Sequence, residues 1–287
     1  MRRLSIRKIW AVGKCEYKKF LTDPRNIVIV CFFIVLYDSI LKEFIQMSEE
    51  MGQPIHILEP FIALCGTGFV TVVLPIVFLL IISDFPKISG NDRFYMIRTG
   101  KYNWIFGQIL STVMMIITYM GVTFGMTCVL AAPYSYVSNE WSDVVTKYYI
   151  MFPDESMSAK NELINGTLYN QTTPVDAFLA TFILFSLLLL LISLVCLISF
   201  LCSVRKLGLC FCALAVALGG ALTTLNLTEM WIFPVAHIMT WKHYQEIFSE
   251  PIFPISWSFW YFILLILVCF IGILNRVPHK NFDEIEE

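Results

Sequence analysis

The sequence predicts an all-α, polytopic membrane protein with six transmembrane helices, and three observations carry that prediction. Of 287 residues, 57% are hydrophobic and only 15% charged, with a mean hydropathy of +0.72. A soluble chain carries about one-quarter charged residues, so this composition leaves too few to cover a globule. The apolar runs are continuous and of the length, roughly 20 residues, that a helix needs to cross a bilayer core. They do not alternate in ten-residue stretches, as barrel strands would. Finally, the basic residues crowd into alternate gaps between the runs.

Taken in order, Arg2–Leu21 reads as an amphipathic interfacial helix. Leu4, Ile9, Trp10, Val12, Tyr17 and Phe20 can face the membrane while Arg3, Arg7, Lys8, Lys14, Lys18 and Lys19 stay wet. Asp23-Pro24 ends it. This arm either only orients the first span or also touches a cytoplasmic partner. Spans are expected at Ile27–Ile45, Phe61–Ile82, Asn103–Ala132, Ala177–Cys202, Leu207–Leu225 and Trp257–Asn275. Asp38, Lys42 and Glu43 interrupt the first, and snorkelling near the outer surface can relieve Lys42 and Glu43. No cleavable signal peptide is expected, and span one would be a retained anchor. Residues 1–287 then form one transmembrane domain. It comprises an arm (1–26), spans one to three (27–132) with a loop at 83–102, and an outer loop (133–174). Spans four to six (175–275) with an outer segment at 226–256, and a tail (276–287), complete it.

Lys and Arg set the orientation. Sixteen of the 20 fall in the arm, the 83–102 loop, the gap holding Arg205 and Lys206, and the tail with Arg276 and Lys280. Lys147, Lys160 and Lys242 are alone on the other side, so both termini are expected in the cytoplasm of a multi-pass plasma-membrane protein. The net charge of −2 offers no basic field for nucleic acid. None of the nine cysteines lies in the two large outer loops, which argues against an extracellular disulfide framework.

Function would have to live in the polar segments. Between spans two and three, Phe94, Tyr95, Ile97 and Arg98 fall on adjacent turns of a short helix that Gly100 can end. This loop either presents aromatics and arginine to the cytoplasm or is a connecting turn obeying the positive-inside rule. Pro133–Pro174 is acidic, with Glu140, Asp143, Asp154, Glu155 and Glu162 against two lysines, and its aromatic start suits an interfacial helix. Asn226–Ser256 is apolar and proline-broken, carrying Trp231, Pro234, Trp241, Pro251 and Pro254 just before Trp257. It reads as re-entrant or surface helices. Three sequons, at Asn165, Asn170 and Asn226, fall on the outer side.

Autonomous chemistry is not expected. There is no G-x-x-x-x-G-K-[ST] phosphate loop, so the chain cannot bind ATP through one of its own. His56, His237, His243 and His279 are scattered, without H-E-x-x-H, and His237 and His243 read as ordinary interfacial residues. Cys202, Cys210 and Cys212 lack zinc spacing. Glu49 and Glu50 sit in an outer loop without partner histidines, and no G-x-S-x-G occurs. Spans two to six carry no ionisable residue in their interiors, leaving Asp38 the one candidate for ion coupling, and no broken half-helices are evident. No catalytic residue, metal or cofactor is therefore expected.

The layout resembles the permeases of ABC-2 type transporters. The match is closest at I-S-D-F-P (82–86) and R-F-Y-M-I-R-T-G-K-Y-N-W-I-F-G-Q-I-L (93–110), with an echo in P-I-F-P-I-S-W (251–257). The resemblance implies an exporter subunit driven by a separate ABC ATP-binding subunit, which would hold the ATP. The coupling contacts would be Asp84, Pro86, Arg93, Phe94, Tyr95, Arg98, Gly100 and Trp104. The arm would be the connecting helix, and the outer gate would include Trp231, Pro234, Trp241, Pro251, Pro254 and Trp257. A second permease chain, identical or a sister, would complete the path. The chain departs from the pattern in reducing the basic cluster after Gly100 to Lys101, Tyr102 and Asn103, and in its long 133–174 loop. Two other classes stay open: a non-transporting immunity or scaffold protein acting through its outer loops, and an autonomous secondary transporter or channel.

Overall fold

The structure, a computed structural model, describes residues 4–36, 40–88, 92–152, 163–244 and 252–280, and of 92–95 the backbone alone. Its helices in chain order are α1 (Ile6–Leu21), α2 (Ile27–Leu36), α3 (Lys42–Met51), α4 (Glu59–Gly66), α5 (Gly68–Ile81), α6 (Asp92–Thr99) and α7 (Lys101–Ala131). There follow α8 (Asp143–Met151), α9 (Gly166–Tyr169), α10 (Pro174–Leu201), α11 (Arg205–Thr224), α12 (Pro234–Ile238) and α13 (Ile255–Arg276). Two short strands, β1 (Ile55–His56) and β2 (Ser135–Tyr136), pair in parallel with Ile55 opposite Ser135. The fold is nearly all-α, as the sequence predicts.

Among the described residues four helices are long and apolar enough to cross a membrane: α7 with the turn after it, α10, α11, and α13 with its own trailing turn. Within the same residues α4 and α5, counted together, make a fifth candidate, and they meet at 86°. The straight second span expected over Phe61–Ile82 is thus a broken helix, contrary to the expectation of none. Thr67, flanked by Gly66 and Gly68, is extended (φ −73°, ψ 127°) and ends one helix as it starts the next. A break in apolar surroundings must find new partners for the freed carbonyls. Thr67 Oγ1 donates to Ala63 O at 2.8 Å, Thr71 Oγ1 to Cys65 O at 3.0 Å, and Trp241 Nε1 to Gly66 O at 3.0 Å.

The first expected span also differs. The described residues give two helices of 10 residues each, α2 and α3. At 1.5 Å per residue each is about 15 Å long, roughly half a bilayer core. In α3 only Phe44, Met47 and Ser48 are buried, because its polar residues occupy the other faces. Asp38 lies outside the described residues. Glu49 and Glu50 are on α3 rather than in a loop, and Tyr148 of α8 donates to Glu50 Oε2 at 2.5 Å.

At the centre stands α10, 61% buried in its most apolar stretch against 17% for α13, which packs along one side of it. It starts cleanly: Thr173 Oγ1 accepts from Asp176 N at 3.3 Å and donates to Asp176 Oδ2 at 2.7 Å, with Pro174 in the first turn. Around it, α7, α11, α5 and α4 close the core, where Phe61, Phe124, Phe178 and Phe182 form one ring cluster.

Candidate functional site

One end of the molecule gathers α1, α6, the start of α11 and the trailing turn of α13, and with them most of the described basic residues. We call it the basic end. Its frame is the pair α1 and α7, docked lengthwise. Ser5 N donates to Asn103 Oδ1 at 2.9 Å near one end of the contact, and Tyr17 Oη lies 2.6 Å from Thr118 Oγ1 near the other. Midway the helices touch at Gly107, where an added Cβ would meet Val12 Cβ and Cγ1 at 2.5 Å. Only glycine permits that approach. Val12 (0% exposed) and Phe20 (8%) therefore face α7 rather than lipid, correcting the expected membrane face of the arm, while Ile6 and Trp10 remain exposed.

The backbone of α6 leads into Gly100, whose φ of 90° lets the chain turn into α7. Of the expected coupling residues, Arg98 is exposed, and its carbonyl accepts from Lys8 Nζ of α1 at 3.5 Å. The side chains of Arg93, Phe94 and Tyr95 lie outside the described residues. Trp104 is 1% exposed, its ring centroid 6.1 Å from that of Phe200, so it steadies α7 against α10 and presents nothing to a partner. Pro86 follows a cis peptide bond in a buried turn.

Asp84 turns inward. Its carboxylate pairs with Arg25, from the turn joining α1 to α2, and lies 3.7 Å from Arg205, the first residue of α11. The neighbouring Ser83 holds the same two arginines: Arg25 NH1 donates to its Oγ at 2.8 Å and Arg205 NH2 to its carbonyl at 3.2 Å. Beside them Lys87 pairs with Asp23 at 2.9 Å and Lys19 with Glu16 at 2.8 Å. Burial works against the Asp23 carboxylate, but the Arg25 amide and the Lys87 ammonium outweigh it and hold its carboxyl below the usual range. Glu16, Lys19, Asp23, Asp84 and Lys87 line an open cleft together with apolar residues that include Phe20, Phe85 and Met115.

At the opposite end, the expected outer gate is a packed cap. Trp241 closes the break in the α4–α5 pair, and Thr167 Oγ1 donates to its carbonyl at 3.1 Å. Pro234 opens α12 and Pro254 precedes α13. Trp257 is 63% exposed, and Pro251 lies outside the described residues. The surprise is the two histidines. His237 (1% exposed) stacks on Tyr261 at 4.0 Å, with Nε2 2.9 Å from Trp231 O and Nδ1 2.8 Å from Ser258 Oγ. Facing a carbonyl, Nε2 must donate, so Nδ1 of the neutral ring accepts from the serine. His243 (0% exposed) donates from Nδ1 to Phe253 O at 2.6 Å. Burial pushes the His237 imidazole down to about 4 and lowers that of His243 as well.

Sequence reasoning also missed Glu59, fully buried at the start of α4. Its carboxylate accepts from His56 N at 2.9 Å, Ser142 N at 2.7 Å and Ser142 Oγ at 2.7 Å, binding α4 to the start of α8. Among the described residues no cluster of three His, Cys, Asp or Glu side chains could hold a metal ion. The sequon Asn165 is engaged as a helix cap, accepting from Thr167 N at 2.9 Å. The chain matches no family model, no curated protein and no solved structure.

Proposed function

We propose that this chain is the membrane-spanning subunit of a transporter of the ABC-2 kind, an exporter driven by a separate ATP-binding chain. The observation that supports this best is the seating of α6. Its exposed Ile97 and Arg98 stand beside an arm, α1, that is locked lengthwise to α7. A push on α6 would therefore reach a long helix directly through Gly100, rather than dissipate in a loose loop. On this reading the basic end faces the cytoplasm of the cell membrane, where the Lys and Arg distribution puts it. The sixth crossing is made by the stretch containing α2 and α3, the fifth by the broken α4–α5 pair, and a second permease chain completes the path.

The test is co-purification. Expressed with its candidate ATP-binding chain and extracted in mild detergent, the protein should carry that chain through two affinity steps. Arg98→Glu, which reverses an exposed charge without touching a buried contact, should weaken the complex about tenfold or more, as expected for a charge in a protein interface. Failure to form the complex, or a complex indifferent to Arg98→Glu, would remove α6 as the docking element.

A further inference from the structure

We propose that Ser83 and Asp84 form a shared latch that ties the joint between α1 and α2 to the start of α11, so that these segments loosen together. Among the described residues Asp84 is the one acid in direct contact with both Arg25 and Arg205, and Ser83 supplies each arginine with a second acceptor. The three segments are far apart in sequence, and both arginines converge on this dipeptide. Nearby, Lys87 reaches Asp23 and holds the loop to the α1–α2 joint, while Lys19 pairs with Glu16 within α1 and donates to the Lys87 carbonyl at 3.4 Å.

The two guanidiniums feel each other, since the charge of Arg25 works against that of Arg205. Removing the carboxylate would thus do more than cancel an attraction. It would leave two like charges side by side at the seam, pushing the joint and the helix start apart. The side chains involved are 33% to 47% exposed. Ion pairs this wet hold weakly and exchange readily. The contact therefore suits an element that opens and recloses, and would serve poorly as a permanent staple. The latch stands on these contacts alone, and only its use in transport rests on the reading proposed above.

Hydrogen exchange on the full chain in lipid nanodiscs, read by mass spectrometry, tests it without any partner. Asp84→Asn should raise exchange about threefold to tenfold over both 22–27 and 203–208, the loss expected for a half-exposed charge network. Lys87→Ala should raise it over 22–27 only. A rise after Asp84→Asn in one segment but not the other, or in neither, overturns the shared latch. Should Asp84→Asn unfold the chain, exchange would rise everywhere and Arg205→Lys decides instead. That change keeps the charge but loses the guanidinium nitrogen, Nη2, that meets both the Ser83 carbonyl and the Asp84 carboxylate. Its rise over 203–208 must be accompanied by a smaller one over 22–27, and an unmoved 22–27 also sinks the proposal.

Discussion

The two ends of the molecule solve the same problem, holding polar groups in an apolar fold, in different ways. At the basic end, acids meet cations in pairs of which at least one member is a quarter or more exposed: Lys19 at 25%, Asp84 at 47%, Lys87 at 51%. At the opposite end, Glu59, His237 and His243 are buried to 1% exposure or less, and their contacts are hydrogen bonds to backbone and serine rather than to opposite charges. Wet ion pairs contribute about 1 kcal/mol or less each, while a buried donor stripped of its partner costs about 1–3 kcal/mol. The basic end is therefore built to rearrange at little cost, and the opposite end to resist.

The strongest way to break that contrast is to remove the acid on the resistant side. Glu59→Ala strands three donors, His56 N, Ser142 N and Ser142 Oγ, and frees α8 from α4. We expect a loss of about 4 kcal/mol, summed over stranded donors and the cavity. It should be read as a lower unfolding midpoint in detergent and as new protease cuts near residue 142. A loss under about 1 kcal/mol would mean that the opposite end is as yielding as the basic one.

Acid should discriminate between the ends next. The folded-state value of His237 is about 4, below its ordinary 6.5, so the folded form holds the proton less well than the unfolded one. The stability this histidine contributes is complete above about pH 6.5 and falls as the pH drops through 6.5 toward 4, levelling off below. The loss reaches about 3 kcal/mol, from 1.36 kcal/mol per unit. Trp231, whose ring lies 5.4 Å from that of His237, reports it through its fluorescence. His237→Gln should reduce the loss and leave the part that His243, also lowered by burial, contributes. Asp23, at the basic end, has a folded value below the ordinary one, so its contribution persists until the pH falls below the normal carboxylate range. Loosening around His237 should therefore precede loosening around Asp23, while Glu59, raised to about 7 by burial, gains its proton over the same range and works the other way at α4.

How much of this could be read in the sequence follows the reach of each signal. Long apolar periodicity is local, so α7, α10, α11 and α13 lie where the runs are, and T-P-V-D at 173–176 caps α10 as its residue types require. Gly66-Thr67-Gly68 carried the break of the second span in plain view, but an unbroken hydropathy run outweighed two glycines. The histidines were misplaced because burial is a tertiary property: what hides His237 is Ser258, Tyr261 and Trp231, none of them adjacent in the chain. That Asp84 pairs with Arg25 and Arg205 was not legible, since sequence shows that charges can pair but not which pairs the fold brings within reach. Composition alone could not show α1 docked on a span, because its lysines fit an interfacial helix equally well.

The mildest expected change tests whether the basic end, though held by weak pairs, has a rigid frame. Gly107→Ala places a methyl group where Val12 Cβ and Cγ1 stand 2.5 Å away and Ile9 O 3.1 Å away. Neither α1 nor α7 can relieve this by a rotamer change, because the nearest atoms are a branched Cβ and a backbone oxygen. The helices must part by an ångström or so, at about 2 kcal/mol, the usual cost of overpacking. Glycine's poor helix propensity offsets part of it, since alanine is the better helix former by up to about 1 kcal/mol. The span itself should therefore survive, and the loss should concentrate in the docking of α1. Limited proteolysis of the arm at Lys14 and Lys18 should speed up several-fold while cleavage elsewhere stays constant. Val12→Ala should restore only part of the protection in the double variant, because it removes Cγ1 but leaves the Cβ 2.5 Å away, whereas Val12→Gly, which removes both, should restore more. If Gly107→Ala leaves the arm as resistant as before, α1 does not depend on this crossing, and a push on α6 would have to reach the spans by another route.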